Sequence, residues 1–245
     1  MTKTYFDICK KVMKNLFYET PATFAELDET VEGQRVKQLV NEVNNFVCLN
    51  ENRPWKFREV KQPIVMVEGI KYYDLPNGFT KWIRYQETLV RLVYNQHHKL
   101  TPNAKGQPIL YWIENNKYRL FPVPDASWNN KILDVYYLTN NFAYDKCLVP
   151  KAEMTEENDT SIIPEPFLDI LVYGACRDFR ASANDAKSAF YDNKYKLMYK
   201  AMKSACRLSE DYPDGFDIFG ATDDNIDRQI KRDFYNPYTV NGREE

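Results

Sequence analysis

Histidine is nearly absent: His97 and His98 are the two in 245 residues. Adjacent side chains cannot share one metal-binding face as the two histidines of a helical HExxH do. No GxxxxGK phosphate loop, no GxGxxG fingerprint and no CxxC pair is present. The five cysteines are odd in number and widely spaced, which argues against a disulfide framework and a structural zinc site. Cys9, Cys48, Cys176 and Cys206 fall in segments that read as helical, where a thiol acts as a small apolar filler in a protein made in a reducing cytoplasm. No Ser or Cys stands in a nucleophile-elbow context. The cluster Glu153, Glu156, Glu157 and Asp159 lacks the residue order of a calcium loop and reads as a solvated linker. These absences predict no hydrolytic or transferase activity, no cofactor and no metal.

Long apolar runs are missing too. None approaches the roughly 20 residues needed to span a membrane, so no membrane partner is expected. The opening MTKTYFDICKKVMKN lacks the apolar core and cleavage site of a signal peptide and reads as an amphipathic helix of the fold. A basic surplus is also absent: the formal net charge is −2 and the pI about 5.9. That argues against a dedicated nucleic-acid binder but not against a wall that DNA slides past, which should avoid tight phosphate contacts because each cation paired with a phosphate adds affinity.

Aromatic residues are abundant instead, at 15%, with 18 Tyr and 14 Phe. Tyr suits interfaces because one end is apolar and the other stays wet. Tyr5, Ile8, Cys9, Val12, Met13 and Leu16 recur at steps of three and four, predicting a helix over 4–18 with Lys10, Lys11 and Lys14 on its other face. Val36, Leu39, Val40, Val43, Phe46 and Val47 predict a second over about 29–49. From Trp55 the pattern becomes short strands and turns as far as Leu148, with Glu114-Asn115-Asn116 marking a tight hairpin. Helical periodicity returns after Pro164-Glu165-Pro166, with Pro tolerated at the first turn. It breaks at 181–185 and resumes through Cys206. Small residues at Gly174, Ala175, Ala186, Ala189 and Ala201 suggest that the last two helices form a close antiparallel hairpin.

The expected class is α+β. Residues 1–53 and 164–208 form a discontinuous four-helix bundle, because each helical pair alone would expose an apolar stripe. Residues 54–163 form an inserted all-β module with its linker, and 209–245 an extended tail. Large aromatics are scattered through that tail without a period. Phe216, Phe219, Phe234, Tyr235 and Tyr238 are its expected protein-interaction anchors, since truly disordered segments are poor in aromatics.

Several local patterns, in this order, resemble the head–tail adaptor (connector or ring) proteins of short-tailed and crAss-like tailed phages. They are Asn52-Arg53-Pro54-Trp55-Lys56-Phe57; Glu68-Gly69 with Tyr73-Asp74-Leu75-Pro76; and the run from Tyr118 to Asp125 that ends in Pro122-Val123-Pro124. The helix start Ile163-Pro164-Glu165-Pro166-Phe167 and the pair Phe190 and Tyr195 follow. The resemblance covers about residues 4–208 and departs in the longer, more acidic tail. It implies a virion protein made in the host cytoplasm, and a dodecameric self-assembled ring at the head–tail junction. Its partners would be the portal protein above and a tail or second ring protein below, with genomic DNA passing through the lumen without specific binding. A competing expectation is a carbohydrate- or peptide-binding β module, with Trp82, Trp112 and Trp128 as a platform.

Overall fold

The computed structural model describes residues 3–17, 20–49, 55–85, 90–91, 104–183 and 185–207. In chain order its elements are α1 (Tyr5–Phe17), α2 (Glu26–Glu29), α3 (Val31–Leu49), β1 (Glu59–Val65), β2 (Tyr72–Asp74), β3 (Phe79–Tyr85) and β4 (Val90–Arg91). They continue with β5 (Lys105–Gly106), β6 (Leu110–Glu114), β7 (Lys117–Phe121), β8 (Val123–Pro124), β9 (Ile132–Thr139) and β10 (Ala143–Tyr144). The remaining described elements are β11 (Pro150–Lys151), β12 (Thr160–Ser161), α4 (Asp169–Ser182) and α5 (Ser188–Cys206). The molecule is a mixture of helix and sheet. Two compact units are present: one draws on the chain up to Val60 and again from Leu138, the other on Lys61–Tyr137.

The helical unit follows from its apolar stripes. Thr4 and Asp7 cap α1 reciprocally, the Asp7 N–H donating to Thr4 Oγ1 and the Thr4 N–H to Asp7 Oδ2. All six apolar positions of its predicted stripe are buried. Val36, Leu39 and Val43 of α3 share one core with Ile170, Leu171 and Ala175 of α4, and α5 packs on α4. Lys3 and Lys11 both bind the Asp169 carboxylate at 2.8 Å, which fastens the start of α4 to α1. The helix expected over about 29–49 is α3, and the short α2, which the periodicity did not reveal, precedes it across a corner at Thr30. Gly33 makes the corner possible, because a Cβ there would lie 2.3 Å from the Leu27 carbonyl oxygen.

Small residues work differently from the expectation. A Cβ on Gly174 would sit 2.5 Å from Val43 Cγ1 and 3.3 Å from Tyr195 Cδ2, so this glycine lies where α3, α4 and α5 meet. Ala186, Ala189 and Ala201 are exposed and play no part in that approach. Tyr195 and Met202 are the buried residues of α5.

Residues 138–163, read in the sequence with the β module and its linker, group with the helices. Phe142, Ala143, Met154, Ile162 and Ile163 enter the helical core. Side-chain amides hold them there. Asn41 donates to the Met154 carbonyl at 2.8 Å and accepts from its N–H at 3.2 Å. The fully buried Asn44 donates to the Phe142 carbonyl and accepts from Ser161 Oγ at 2.7 Å. The small sheet β11-β10-β12 rides on these bonds. Trp55 is fully buried, donates from its indole to the Val47 carbonyl at 2.7 Å and stacks on Phe57. Arg58 reaches the Cys48 and Thr139 carbonyls with its guanidinium over the Phe142 ring.

In the second unit the expected hairpin is present. Strands β6 and β7 pair from Leu110↔Phe121 to Glu114↔Lys117. Asn115 and Asn116 both have positive φ, 52° and 58°, as a two-residue turn matched to strand twist requires. These strands form a four-stranded sheet in the order β2-β7-β6-β4, with β4 parallel to β6. A second sheet has the order β1-β9-β3, and β5 pairs with β8 in parallel.

Leucine at position 174 has no room beside Val43. Gly174→Leu is expected to lower stability by about 1–3 kcal/mol, read as a fall in the urea midpoint. Val43→Ala in the same chain recovers part of that loss; a Gly174→Leu chain as stable as the parent would show that the helices do not approach here.

Candidate functional site

The expected anchors Phe216, Phe219, Phe234, Tyr235 and Tyr238 lie outside the described residues, as do His97 and His98. Among the described residues no group of three or more His, Cys, Asp or Glu side chains converges in a way that could hold a metal ion. No helix there is long and apolar enough to cross a membrane. Burial pushes the Cys9, Cys48 and Cys176 thiols up to about 12, so they stay protonated and inert at neutral pH. Cys147 is exposed.

Trp112 is not available to a sugar platform. Trp112 is only 2% exposed, with the Arg119 guanidinium 4.7 Å from its ring centroid. Arg119 also lies over Tyr72 and binds Glu114 at 3.3 Å, and the Tyr72 hydroxyl donates to the same carboxylate. Burial works against the Glu114 charge, but Arg119 and the Tyr72 hydroxyl outweigh it and hold its pKa below the usual carboxylate value. This is a cross-strand knot that fixes the β2-β7-β6 register. Trp128 is half-buried, with Lys131 Nζ 3.9 Å from its ring centroid. The side chain of Trp82 lies outside what is described.

Exposed apolar surface is what each unit offers. In the helical unit, Phe190 (55% exposed) and Leu197 (70%) stand two turns apart on the outer face of α5, with Ala201 in the same line. The inner line of α5, including Tyr195 and Met202, is buried against the core. The helix is therefore apolar on two sides. A surface helix normally carries one apolar stripe. Lys194 arches over Phe190, 4.6 Å from the ring centroid. On α3, Phe46 and Leu49 are exposed beside Glu42. In the second unit Val65, Val67 and Ile132 are exposed; the Met66 N–H donates to the Lys131 carbonyl, and the alternating pleat turns Met66 inward.

One residue of the acidic cluster is structural, which the linker reading did not capture. Glu153, Glu156 and Glu157 are exposed, but Asp159 is 1% exposed. Its Oδ2 accepts from the Thr155 N–H at 2.7 Å, the Glu156 N–H at 2.8 Å and Lys151 Nζ at 2.6 Å. Its own carbonyl accepts from the Tyr5 N–H, an otherwise orphan donor at the start of α1. The only signal in the sequence was Thr155 and Lys151 near a carboxylate, a common pairing.

A family model described as SU10 adaptor protein matches residues 3–216, which spans both units. No curated protein matches the chain.

Burial opposes the Asp159 charge, yet Lys151 and the two backbone N–H groups outweigh it and depress the pKa. A depressed carboxylate contributes stability that is present above its unfolded value of about 4 and is lost as pH falls through the folded value. Asp159→Asn is therefore expected to be less stable than the parent at pH 7 and to lose less on acidification. Urea midpoints at neutral and acidic pH read this directly. Equal acid losses in the two proteins would remove Asp159 from the account.

Proposed function

The chain belongs to the SU10 adaptor protein family, a family of phage head–tail adaptors, and on that footing we propose that it forms the ring between the portal and the tail. As a phage adaptor it is a virion component that assembles with other virion proteins. The finer reading is a dodecameric ring of identical subunits, bound to the portal above and to a tail or second ring protein below. Genomic DNA passes through its lumen during packaging and ejection. The subunit is read as a four-helix bundle carrying an inserted β module, acting structurally and without catalysis.

The observation that carries this reading is the family match over both units together with the second apolar line on α5. A closed ring needs each subunit to present two different adhesive faces, because head-to-tail contacts are heterologous. A net charge of −2 supports a lumen that does not grip phosphates. The buried Trp112 argues against the carbohydrate-binding alternative.

Mass photometry of the purified chain, alone and with portal protein, tests the ring. Particles of ring mass are expected in at least the portal sample. A chain that remains monomeric and unbound in both contradicts the reading.

The tail completes the proposal. Phe216 is the last residue of the family match, so Phe219, Phe234, Tyr235 and Tyr238 lie beyond it. We read residues 209–245 as an arm that docks on another subunit or neighbouring ring, its rings burying apolar area to offset the entropy of ordering. Truncation after Leu208 is expected to leave a folded protein that fails to enter virions. Incorporation of the truncated chain at parental efficiency would show that the tail is no assembly contact, and its unfolding would show that the tail folds back on its own subunit.

A further inference from the structure

We propose that the outer face of α5 docks on the outer flank of α3 in a second copy of this chain, lysines against carboxylates around a shared apolar centre. This rests on the ring reading above and assigns its subunit–subunit contact within the helical unit.

The argument starts with charge. Along α5 stand Lys194, Lys196, Lys200 and Lys203, while Asp192 is its only acid. Asp192 is already engaged, by Lys196 at 2.6 Å and by Arg177 at 3.8 Å. The exposed face is therefore positive around Phe190 and Leu197. The α3 flank has the opposite character. Phe46 and Leu49 are exposed there, and Glu42 lies one turn before Phe46. The Asn45 amide donates to Glu153 at 3.2 Å and so holds that carboxylate beside Phe46. The chain continues along this flank to the exposed Glu156 and Glu157, kept in place by the two Asn41–Met154 bonds. Arg35 is the nearby cation on α3; it lies 3.8 Å from Glu42 and donates to Gln38. Lys151 is spent on Asp159. One flank is apolar and basic, the other apolar and acidic.

Geometry then excludes a contact within one copy. Val43 of α3 and Tyr195 of α5 both point inward to Gly174. The outer faces of the same two helices must point away from that meeting place. Two complementary surfaces that face different ways on one core suit a second copy, which brings one to the other. The contact is heterologous, and repetition of it closes into a ring or runs on as a filament. The apolar centre excludes water, and the surrounding charges set register and discriminate against other partners.

The test is a charge exchange read by sedimentation velocity on the full chain over a range of concentrations. Lys194→Glu with Lys200→Glu, and separately Glu42→Lys with Glu153→Lys, are each expected to weaken self-association by about tenfold or more. An equimolar mixture of the two variants is expected to form mixed dimers, because each then offers the face that the other needs. Leu197→Asp is expected to abolish association while leaving the circular dichroism spectrum and melting temperature unchanged, since the side chain is 70% exposed. Self-association untouched by all these changes overturns the assignment and leaves the ring reading standing. The same holds if only truncation after Leu208 removes association, which would make the tail the occupant. Loss of association in Leu197→Asp without mixed dimers from the charge variants also overturns it, because α5 would then face something other than α3. A parent chain that stays monomeric at every concentration and with portal protein removes both readings.

Discussion

The seating of α4 against α3 at Gly174 and Val43 is the contact from which the rest of the helical unit follows. The two residues are 131 positions apart (174 less 43), and a Cβ at Gly174 would be 2.5 Å from the valine methyl. So close an approach lets α4 lie deep between the first helices and α5. The entropic cost of closing so long a loop grows slowly with its length. What the contact demands is that the chain return to the same place each time. The amides of Asn41 and Asn44 secure that return by capping the backbone of Met154 and Phe142. Asp159 does the same for the turn after Met154 and for the first N–H of α1.

From this seating comes the accessible face of α5. Because Tyr195 and Met202 already satisfy the core, Phe190 and Leu197 are left outside it. Each would contribute roughly 1.5–3 kcal/mol on full burial. An adaptor assembles with other virion proteins, and surplus apolar surface on rigid elements is a physical means of doing so. The β unit brings its own exposed residues at Val65, Val67 and Ile132, and the Arg119 knot keeps its main sheet in register.

What was legible in the sequence was local. The α1 stripe is buried as its spacing required, and β7 begins and ends where the Asn115-Asn116 turn and Pro122 place it. Cys9, Cys48 and Cys176 are the buried fillers that their helical positions implied. The outward side of α5 was not legible, because an apolar line at helical spacing looks the same whether it faces a core or another molecule. The assignment of residues 138–163 to the helices was hidden for a related reason: it depends on Asn41 and Asn44, polar residues whose partners lie roughly a hundred positions away in the chain. Asp159 was hidden among exposed acids of identical chemistry. The tail anchors from Phe216 to Tyr238 lie outside the described residues, and only assembly experiments bear on them.

The central proposal is that many copies of this chain are built into the virion between the portal and the tail. Counting them is the most direct test. Quantitative mass spectrometry of purified virions, with isotope-labelled peptides from this chain and from the portal protein, gives the ratio of the two. The account predicts a small fixed ratio that survives high-salt washing and stays with the portal when heads are separated from tails or opened. Absence from the virion, or a variable and washable trace, would contradict it.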